Sequence, residues 1–244
     1  MRNKYSENSI EILEGLIKGS EIIDLSHTLE PLMPAWPTQA RFGSVVYDSY
    51  DYGGAALHSM ITMSEHTGTH IDAPRHFIKG GLAVDKLPLK AVMGRGVHID
   101  ALETAECGLL GPEALTAFEK THGKILKGDI VMFRFGWDKK YRLQPDAAEY
   151  LSNWPGLSKE AAEYLAEREI KAAGCDTLAI DAFGSKDNAA HHVLLGQGIP
   201  IIENIANLEK LPAFSFVIGL PNKFKGGSGS PIRLIALVSP ALPH

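Results

Sequence analysis

The chain has 244 residues, of which 45% are hydrophobic and 22% charged, and its formal net charge is −5. These values are typical of a soluble globular protein. No basic run indicates nucleic-acid binding, and no stretch of about 18 apolar residues indicates a membrane span. The N-terminal region lacks an apolar signal core, so we expect a cytoplasmic protein.

Four segments have the spacing or composition of helices. In the first, apolar residues recur at the period of an amphipathic helix. Pro112 suits the first turn of the second segment, Ser158 is a favourable N-cap for the third, and Asp187 or Asn188 would cap the fourth. The predicted helices cover residues 9–18, 112–121, 158–171 and 187–196.

Runs of β-branched and aromatic residues between turn-forming residues predict the strands. They cover residues 21–26, 42–49, 55–64, 66–72, 95–100, 129–135, 177–181, 199–203, 213–219 and 231–238. Some strands follow one another directly and others alternate with helices, which favours a mixed sheet of the α/β class. No repeat or low-complexity linker interrupts the chain, so we predict one domain over residues 1–244.

An aromatic stretch interrupts this pattern at residues 136–157. It carries Trp137, Tyr141, Tyr150 and Trp154 among charged residues. Two interpretations remain open. The stretch is either a surface excursion that covers a functional site or an oligomer face, or a loop packed on a core of its own.

The most informative segment covers residues 66–76. It contains three histidines and one aspartate, namely His66, His70, Asp72 and His76. Imidazoles placed so closely disfavour one another's protonation, and metal ligands must be deprotonated. The cluster therefore predicts a divalent-cation site rather than scattered structural histidines.

The same segment suggests how the ligands are arranged. β-branched residues stand between them, which predicts a strand, and side chains alternate between the two faces of a strand. The first two histidines and the aspartate would then share one face, with Gly68 leaving room for the ion between the histidines. Pro74 cannot continue a central strand, so the chain is expected to turn there and return His76 to the ion.

A second cluster lies further along the chain, where one histidine of the pair His191 and His192 is a candidate ligand. Glu203 ends a short apolar strand, and a carboxylate beside a buried run needs a partner. A metal would provide one, and so would the N-terminus of a following helix. Asp181 ends another predicted strand and is a candidate to orient His191 or another ligand.

These residue types indicate a chemistry. Histidines with one or two carboxylates suit Zn²⁺, Mn²⁺ or Fe²⁺. Such an ion can lower the pKa of bound water from about 15.7 to about 7 and polarise a carbonyl. His76 exceeds the needs of a His-His-Asp set and would act as general base and acid beside a metal-bound hydroxide. The residues predict metal-assisted hydrolysis of an amide, an ester or a lactam.

The glycine-rich segment 226–230 matches neither a phosphate-binding loop nor a nucleophile elbow. Its backbone amides either line a substrate pocket or form a plain turn.

The chain resembles the cyclase family of metal-dependent hydrolases, which includes bacterial kynurenine formamidase and isatin hydrolase. Residues 66–76 match every fixed position of the family's motif, His-x-Gly-Thr-His-x-Asp-x-Pro-x-His. Further similar segments are residues 24–27, 34–37, 128–131, 136–137, 176–181, 191–204 and 226–233. The resemblance implies an α/β fold in a single domain, with a curved, barrel-like mixed sheet flanked by helices.

The resemblance also implies roles for particular residues. In the formamidase branch, two metal ions share a site. The ligands implied for the first ion are His66, His70, Asp72 and Glu203. The second ion shares both carboxylates, and its implied ligands are Asp72, His191 and Glu203. The spacing of twelve residues to Glu203 favours His191 over His192. His76 would donate and accept protons, and Trp36 would contact an aromatic substrate.

The expected cofactor is Zn²⁺ or Mn²⁺, with one or two ions per subunit. The leading expected activity is hydrolysis of N-formylkynurenine, and the alternative is hydrolysis of isatin or a related lactam, cyclic imide or carbamate. The formamidase branch tends to have Gly-Asp after its Trp-Pro, where this chain has Thr38 and Gln39. The family implies a homodimer or tetramer that acts on a small molecule. The alternative of another class is a metal-binding module without catalysis.

Overall fold

The computed structural model describes residues 7–239. In this part of the chain the helices are α1 (Glu7–Lys18), α2 (Pro112–His122), α3 (Lys159–Glu167) and α4 (Ala189–Gly196). The strands are β1 (Glu21–Asp24), β2 (Gly43–Asp48), β3 (His58–Thr62), β4 (His70–Asp72), β5 (Met93–Asp100), β6 (Leu109–Leu110), β7 (Ile130–Arg134), β8 (Gly156–Leu157), β9 (Ala172–Cys175), β10 (Ile201–Glu203), β11 (Phe214–Pro221) and β12 (Gly229–Val238).

Eight strands form one mixed sheet, and seven of them close into a barrel. The order around the barrel is β12-β11-β5-β7-β9-β10-β4, and β4 also pairs with β12 to complete the ring. Neighbours from β5 to β10 are parallel, whereas the remaining pairs of the ring are antiparallel. The predicted α/β fold with a curved, barrel-like mixed sheet is confirmed.

Apolar side chains fill the barrel and, separately, cover its outer face. The interior cluster takes residues from strands all round the ring. It includes Ile71, Ile130, Ile202, Val217 and Leu234. The outer cluster combines alternate strand residues with α2, α3 and α4, and it includes Val131, Phe133, Leu115, Leu165 and Leu194. The helices therefore flank the barrel by packing on its outer wall.

The alternation of strand side chains between the barrel interior and its outer face decides where the polar residues of β4 and β10 point. Ile71 and Ile202 belong to the interior cluster. Successive side chains of a strand face opposite sides, so His70, Asp72 and Glu203 point outward. α4 and the 3-10 helix Pro74–His76 contact each other, and α4 contacts β10. The polar residues thus lie between the barrel wall and these two helices.

The predicted strand 66–72 is wrong over its first four residues. Only β4 is strand, and the residues before it form a turn in which Gly68 has a φ of +62°. A Cβ added at Gly68 would lie 2.6 Å from Leu29 Cδ2. Glycine is needed here for the left-handed turn and for the contact with Leu29, and it does not make room for an ion as predicted.

The predicted strand 177–181 is also wrong. The strand is β9, and residues 176–181 form the loop that follows it. β9 has the sequence Ala-Ala-Gly-Cys, whose small residues have little strand propensity of their own. A Cβ added at Gly174 would lie 2.7 Å from Ile205 Cδ1. Close packing between β7 and β10 therefore fixes this strand.

The aromatic stretch 136–157 packs on its own core. Trp137, Tyr150 and Trp154 are 5%, 0% and 3% exposed, and they form a separate cluster with Leu178. The second of the two interpretations is confirmed for these three side chains.

Two elements remain largely outside these cores. α1 exposes five large apolar side chains, and the hairpin of β2 and β3 exposes residues on both faces. The α1 residues are Ile10, Ile12, Leu13, Leu16 and Ile17. The hairpin residues are Val45, Val46, Tyr47, Met60 and Ile61. Among the described residues, no helix combines the length and apolarity needed to traverse a bilayer.

Candidate metal centre

The pairing of β4 with β10 brings three polar groups together. His70 lies opposite Glu203 in the register, and Asp72 follows two residues later on the same face. His70 Nε2 is 3.3 Å from Asp72 Oδ1 and 3.4 Å from Glu203 Oε2. The three residues are only 3%, 1% and 4% exposed, so their charges interact strongly in a medium of low dielectric.

His66 reaches this group from the turn before β4. Its Nδ1 lies 2.6 Å from Asp72 Oδ1, and its Nε2 lies 2.9 Å from Ser228 Oγ. A Cβ added at Gly229 would stand 2.6 Å from His66 Cε1. The loop before β12 therefore shapes the site through the hydroxyl of Ser228, and the first residue of β12 does so through the missing side chain at Gly229.

His191 approaches from the opposite side, on the first turn of α4. Its Nε2 is 3.3 Å from Asp72 Oδ2 and 3.2 Å from Glu203 Oε1. Its ring stacks on Phe77, with ring centroids 4.4 Å apart. The neighbouring His192 is exposed. The structure therefore brings His191, and not His192, into the cluster.

Hydrogen bonds fix the tautomers of two of these histidines. His70 Nδ1 lies 2.8 Å from the carbonyl oxygen of Gly68, to which it donates. His191 Nδ1 lies 2.5 Å from Asp181 Oδ2 and donates to that carboxylate. Asp181 also accepts from the backbone N–H of Ala190, which holds the carboxylate at the start of α4. In the neutral form of each ring the proton sits on Nδ1, and Nε2 faces the central carboxylates.

A third tautomer follows from a chain of hydrogen bonds. The hydroxyl of Ser228 donates to Glu65 Oε2 over 2.7 Å. Its oxygen is then free to accept from His66 Nε2, and His66 Nδ1 is left facing Asp72. Each of the three rings thus has one nitrogen that is not needed as a donor elsewhere. These three nitrogens face two buried carboxylates, those of Asp72 and Glu203. A hydrogen bond on the far nitrogen fixes ring orientation in this way at metal sites.

Positive charge is required between these ring nitrogens and the carboxylate oxygens, because their lone pairs of electrons otherwise face each other. Among the residues that the structure describes, Asp72 Oδ2 is buried and finds no hydrogen-bond partner. In the described chain, two groups of three residues offer ligand atoms within 4.8 Å of one another. The groups are His66, Asp72 and His76, and His70, Asp72 and Glu203. These donors fit a divalent cation, which takes imidazole nitrogen and carboxylate oxygen together.

The electrostatics of the cluster favour a cation. Burial alone would lower the pKa of His70, but Asp72 and Glu203 outweigh burial and raise that pKa to about 10. Burial also opposes protonation of His191, whose pKa is nevertheless raised well above its usual value by Asp181, Asp72 and Glu203. Burial would raise the pKa of Asp72, but the neighbouring imidazoles of His191, His66 and His70 hold it well below its usual value. Protons and metal ions compete for such a site.

Comparison with known proteins identifies the family. Residues 23–182 match the model of the Cyclase family. The chain belongs to the Cyclase family. This cyclase-family chain is 31% identical to the kynurenine formamidase of Bacillus cereus over 227 residues, which cover 90% of this chain and 98% of that protein. The resemblance inferred from the motif is confirmed.

Solved structures of isatin hydrolase A have the same fold. The enzyme from Labrenzia aggregata gives a TM-score of 0.86 at 35% identity, and the match covers 96% of this chain and 100% of that one. The enzyme from Ralstonia solanacearum gives a TM-score of 0.88 at 32% identity, with 98% and 100% covered. Both sets of relatives are hydrolases by name, which supports a hydrolytic enzyme.

In the cyclase-family chain, His76 differs from the other histidines of the cluster. It lies on the 3-10 helix after β4, its Nε2 is 3.9 Å from Asp72 Oδ2, and its side chain is 29% exposed. Its ring stacks on that of His66, with centroids 4.0 Å apart. Burial lowers the pKa of His76 below its usual value. A neutral imidazole therefore stands between the cluster and solvent.

A cavity of about 300 Å³ opens beside the cluster. His76 and Phe77 line one side, and Trp36, which is 41% exposed, lines another. The remaining wall includes Thr38, Gln39, Leu178, Ala179 and Asn188, and none of the described residues that line the cavity is Lys or Arg. The cavity thus joins an apolar, partly aromatic wall to the carboxylate–imidazole cluster.

The structure brings every residue to which the sequence analysis gave a role in the site to this one place, whereas His192 lies outside it. They are His66, His70, Asp72, His76, His191, Glu203 and Trp36. Their individual roles stay predictions. Sequence reasoning missed Glu65 and Asn204. The amide of Asn204 faces His70 Nδ1 at 3.4 Å, and its Oδ1 accepts from the hydroxyl of Tyr150 over 2.6 Å.

Proposed function

We propose that the protein is a metal-dependent hydrolase that cleaves the C–N bond of a small aromatic amide or lactam. The observation that carries the proposal is the set of three oriented imidazoles around two buried carboxylates, next to a cavity that a neutral histidine faces. Relatives named kynurenine formamidase and isatin hydrolase support the same class of reaction.

In this proposal the metal ligands are His66, His70, Asp72, His191 and Glu203. A divalent Zn²⁺ or Mn²⁺ bound there supplies a Lewis acid that polarises the scissile carbonyl and lowers the pKa of water. The hydrogen bonds on the outer nitrogens hold each ring in place, so little reorganisation is needed on binding.

His76 performs the proton transfers in the proposed reaction. Its lowered pKa keeps it neutral near pH 7, so it can accept the proton of the attacking water. The imidazolium then protonates the leaving nitrogen, as a general acid does. The stacked ring of His66 holds His76 in position, and Trp36 contacts the aromatic ring of the substrate on the other side of the cavity.

The cavity lining supports an uncharged aromatic substrate. N-formylkynurenine carries an α-carboxylate and an α-ammonium group, and a buried carboxylate needs a charged or hydrogen-bonding partner. Within residues 7–239 the cavity offers only neutral donors to such a carboxylate, among them Thr38, Gln39 and Asn188, and neither Lys nor Arg lines it. This favours the alternative of the sequence analysis, a neutral lactam such as isatin, although the curated relatives are formamidases.

The test is hydrolysis of isatin and N-formylkynurenine by protein stripped with a chelator and reloaded with Zn²⁺ or Mn²⁺. We expect metal-dependent turnover, with isatin preferred, and elemental analysis should give one or two ions per subunit. Metal-loaded protein that cleaves neither compound, nor any of a panel of formanilides, lactams and carbamates, would support the non-catalytic metal-binding module instead.

We also propose that the protein is a homo-oligomer in which a second copy covers α1 and the β2–β3 hairpin. An isolated two-stranded hairpin is marginally stable in water, and large exposed apolar patches mark interaction sites. The ten large apolar side chains named above are all exposed on these two elements, and a standard interface covers about 800 Å² on each partner.

A second copy suits this surface because the apolar stripe of α1 carries no charge. Its side chains Ile10, Leu13, Leu16 and Ile17 are all at least 51% exposed. Two such stripes meet without repulsion between like charges, and an isologous interface must be complementary to itself. The cytoplasmic location expected from the sequence stays a prediction.

A further inference from the structure

A second cavity adjoins the one beside the metal centre. Its volume is about 260 Å³, and the two cavities share three lining residues, namely Trp36, Ala179 and Asn188. Ala179, whose side chain is a single methyl group, lies at the shared wall. The cavity at the metal centre is close to the lower limit of about 300 Å³ for small-molecule sites. Together the two would hold a substantially larger molecule.

Aromatic rings form the walls of the second cavity. Trp154 is 3% exposed and lies between Trp36 and Phe183, with ring centroids 5.9 Å and 4.9 Å away in edge-to-face geometry. Its Nε1 donates to the carbonyl oxygen of Asp181 over 2.9 Å. Because that hydrogen bond satisfies its polar atom, Trp154 offers only ring surface to the cavity.

Trp36 and Phe183 leave much of their apolar surface uncovered, at 41% and 40% exposure. They line the same cavity, which Pro37 and Leu151 extend. Two half-exposed aromatic side chains on one cavity present a concave apolar surface, which is the usual form of a small-molecule site.

The charged group on this wall is already engaged. Asp181 Oδ1 accepts from the N–H of Ala190, and Oδ2 accepts from His191. Among residues 7–239, none that lines the second cavity is Lys or Arg, although its lining includes the neutral polar side chains of Ser185 and Asn188. The cavity therefore provides no ion-pair partner for a carboxylate, and desolvating such a charge there would be costly.

We propose that this second cavity is a subsite for an apolar, preferably aromatic, second group of the substrate. The inference rests on the proposed function. The bond to be cleaved lies in the cavity beside the metal centre, the chain of the substrate passes Ala179, and the second group packs against Trp154, Phe183 and Leu151. The substrate class is thus a two-part aromatic amide or lactam rather than a single small ring.

The first experiment compares isatin and formanilide with derivatives that carry a benzyl group at each ring position. We expect kcat/KM for the best derivative to exceed that of its parent by roughly 10- to 100-fold, as burial of one aromatic side group gives. Phe183→Ala and Leu151→Ala should each remove most of this preference. The matched control is Phe216→Ala, since Phe216 is 46% exposed and lines neither cavity.

The second experiment measures binding without turnover. It follows the fluorescence of Trp36 and Trp154, which line the second cavity. Benzyl-substituted aminobenzoates should quench it at concentrations at least ten-fold lower than aminobenzoate itself, and Phe183→Ala should abolish the difference. Equal affinities would overturn the subsite. If the parents are cleaved but no derivative is preferred, the subsite also fails while the proposed function stands. If fluorescence shows the preference but no compound is cleaved, the subsite stands as a binding site and the hydrolytic function fails.

Discussion

At the scale of single residues, the site separates into side chains that face the cation position and side chains that hold them. The first group was found from the sequence because four of its members fall within residues 66–76, and the fifth and sixth lie twelve residues apart. Of the second group, Asp181 was named as a candidate because it ends a predicted strand. Glu65 and Asn204 carry no such signal, since Glu65 acts on His66 through Ser228 and Asn204 meets His70 only in the folded chain.

Substituting His76 with alanine should separate chemistry from metal binding. We expect His76→Ala to lower kcat by about 10²- to 10⁴-fold, as loss of general acid–base catalysis does, while metal content stays near that of the wild type. Turnover and elemental analysis check this. The control is His192→Ala, because His192 is an exposed histidine outside the cluster. Parallel loss of metal and activity in His76→Ala would show that His76 is a ligand instead.

Asp181 should act on the metal site through His191. In Asp181→Asn the carboxylate that fixes the Nδ1–H tautomer is lost, and we expect metal affinity to fall by about 10- to 100-fold. Competition with a chromogenic chelator measures the affinity. Asp187→Asn is a matched control on the same loop, since Asp187 is exposed and its carboxylate accepts a hydrogen bond from the hydroxyl of Ser185. An unchanged affinity would leave Asp181 with only the role of holding the start of α4.

At the scale of elements, the sequence predicted strands well where apolar runs are long and poorly where packing decides. β7 and β12 are rich in large apolar residues and were placed within one or two positions. β9 was misplaced because its small residues are selected by close neighbours and not by strand propensity. The turn before β4 was misread because alternating threonines resemble a strand, while Gly68 adopts a positive φ.

Glu119 joins α2 to α3 and should govern part of the acid stability. The residue is buried, and its carboxylate accepts from Arg168, Lys124, Tyr164 and the N–H of Ile125. Burial opposes ionisation, but these donors lower the pKa of Glu119 to about 2. A depressed folded-state pKa stabilises the protein above the unfolded pKa of about 4.5, and the contribution is lost as the pH falls toward 2.

We therefore expect Glu119→Gln to lower the free energy of unfolding by about 1–3 kcal/mol near pH 7, since it weakens buried charged hydrogen bonds. The difference from the wild type should shrink between pH 4.5 and pH 2. Urea unfolding at several pH values measures both. Glu163→Gln, on an exposed position of α3, serves as the control and should change little. A difference that is independent of pH would contradict the assignment of the ionised carboxylate.

At the scale of the whole molecule, the closed barrel and the helices on its outer wall account for most buried apolar residues, but α1 and the β2–β3 hairpin stand apart. The sequence predicted α1 correctly from its periodicity, and the family resemblance implied an oligomer. The sequence did not indicate which surface a second copy would cover. An amphipathic pattern predicts that one face of a helix is buried, but it does not identify the surface that covers this face.

The mass in solution tests the proposed self-association. Light scattering should give at least twice the 26.5 kDa of one chain. Replacing Leu13 and Met60 together by lysine should shift the mass toward that of the monomer, because charges at the centre of the interface are costly. Leu89→Lys is the control, since Leu89 is 81% exposed and lies on neither element. A wild-type protein that is monomeric at tens of micromolar would refute the proposal.

The closure of the barrel depends on β4, a strand of three residues that bridges β10 and β12. Two of those three residues are His70 and Asp72, so the segment that supplies proposed metal ligands is also the strand that closes the barrel. A change that moves these two residues to other positions in the sequence would therefore also disrupt the strand pairing that closes the barrel. Conversely, an ion bound beside β4 would stabilise the closed barrel, and its removal should loosen the backbone of β4 before that of any other strand.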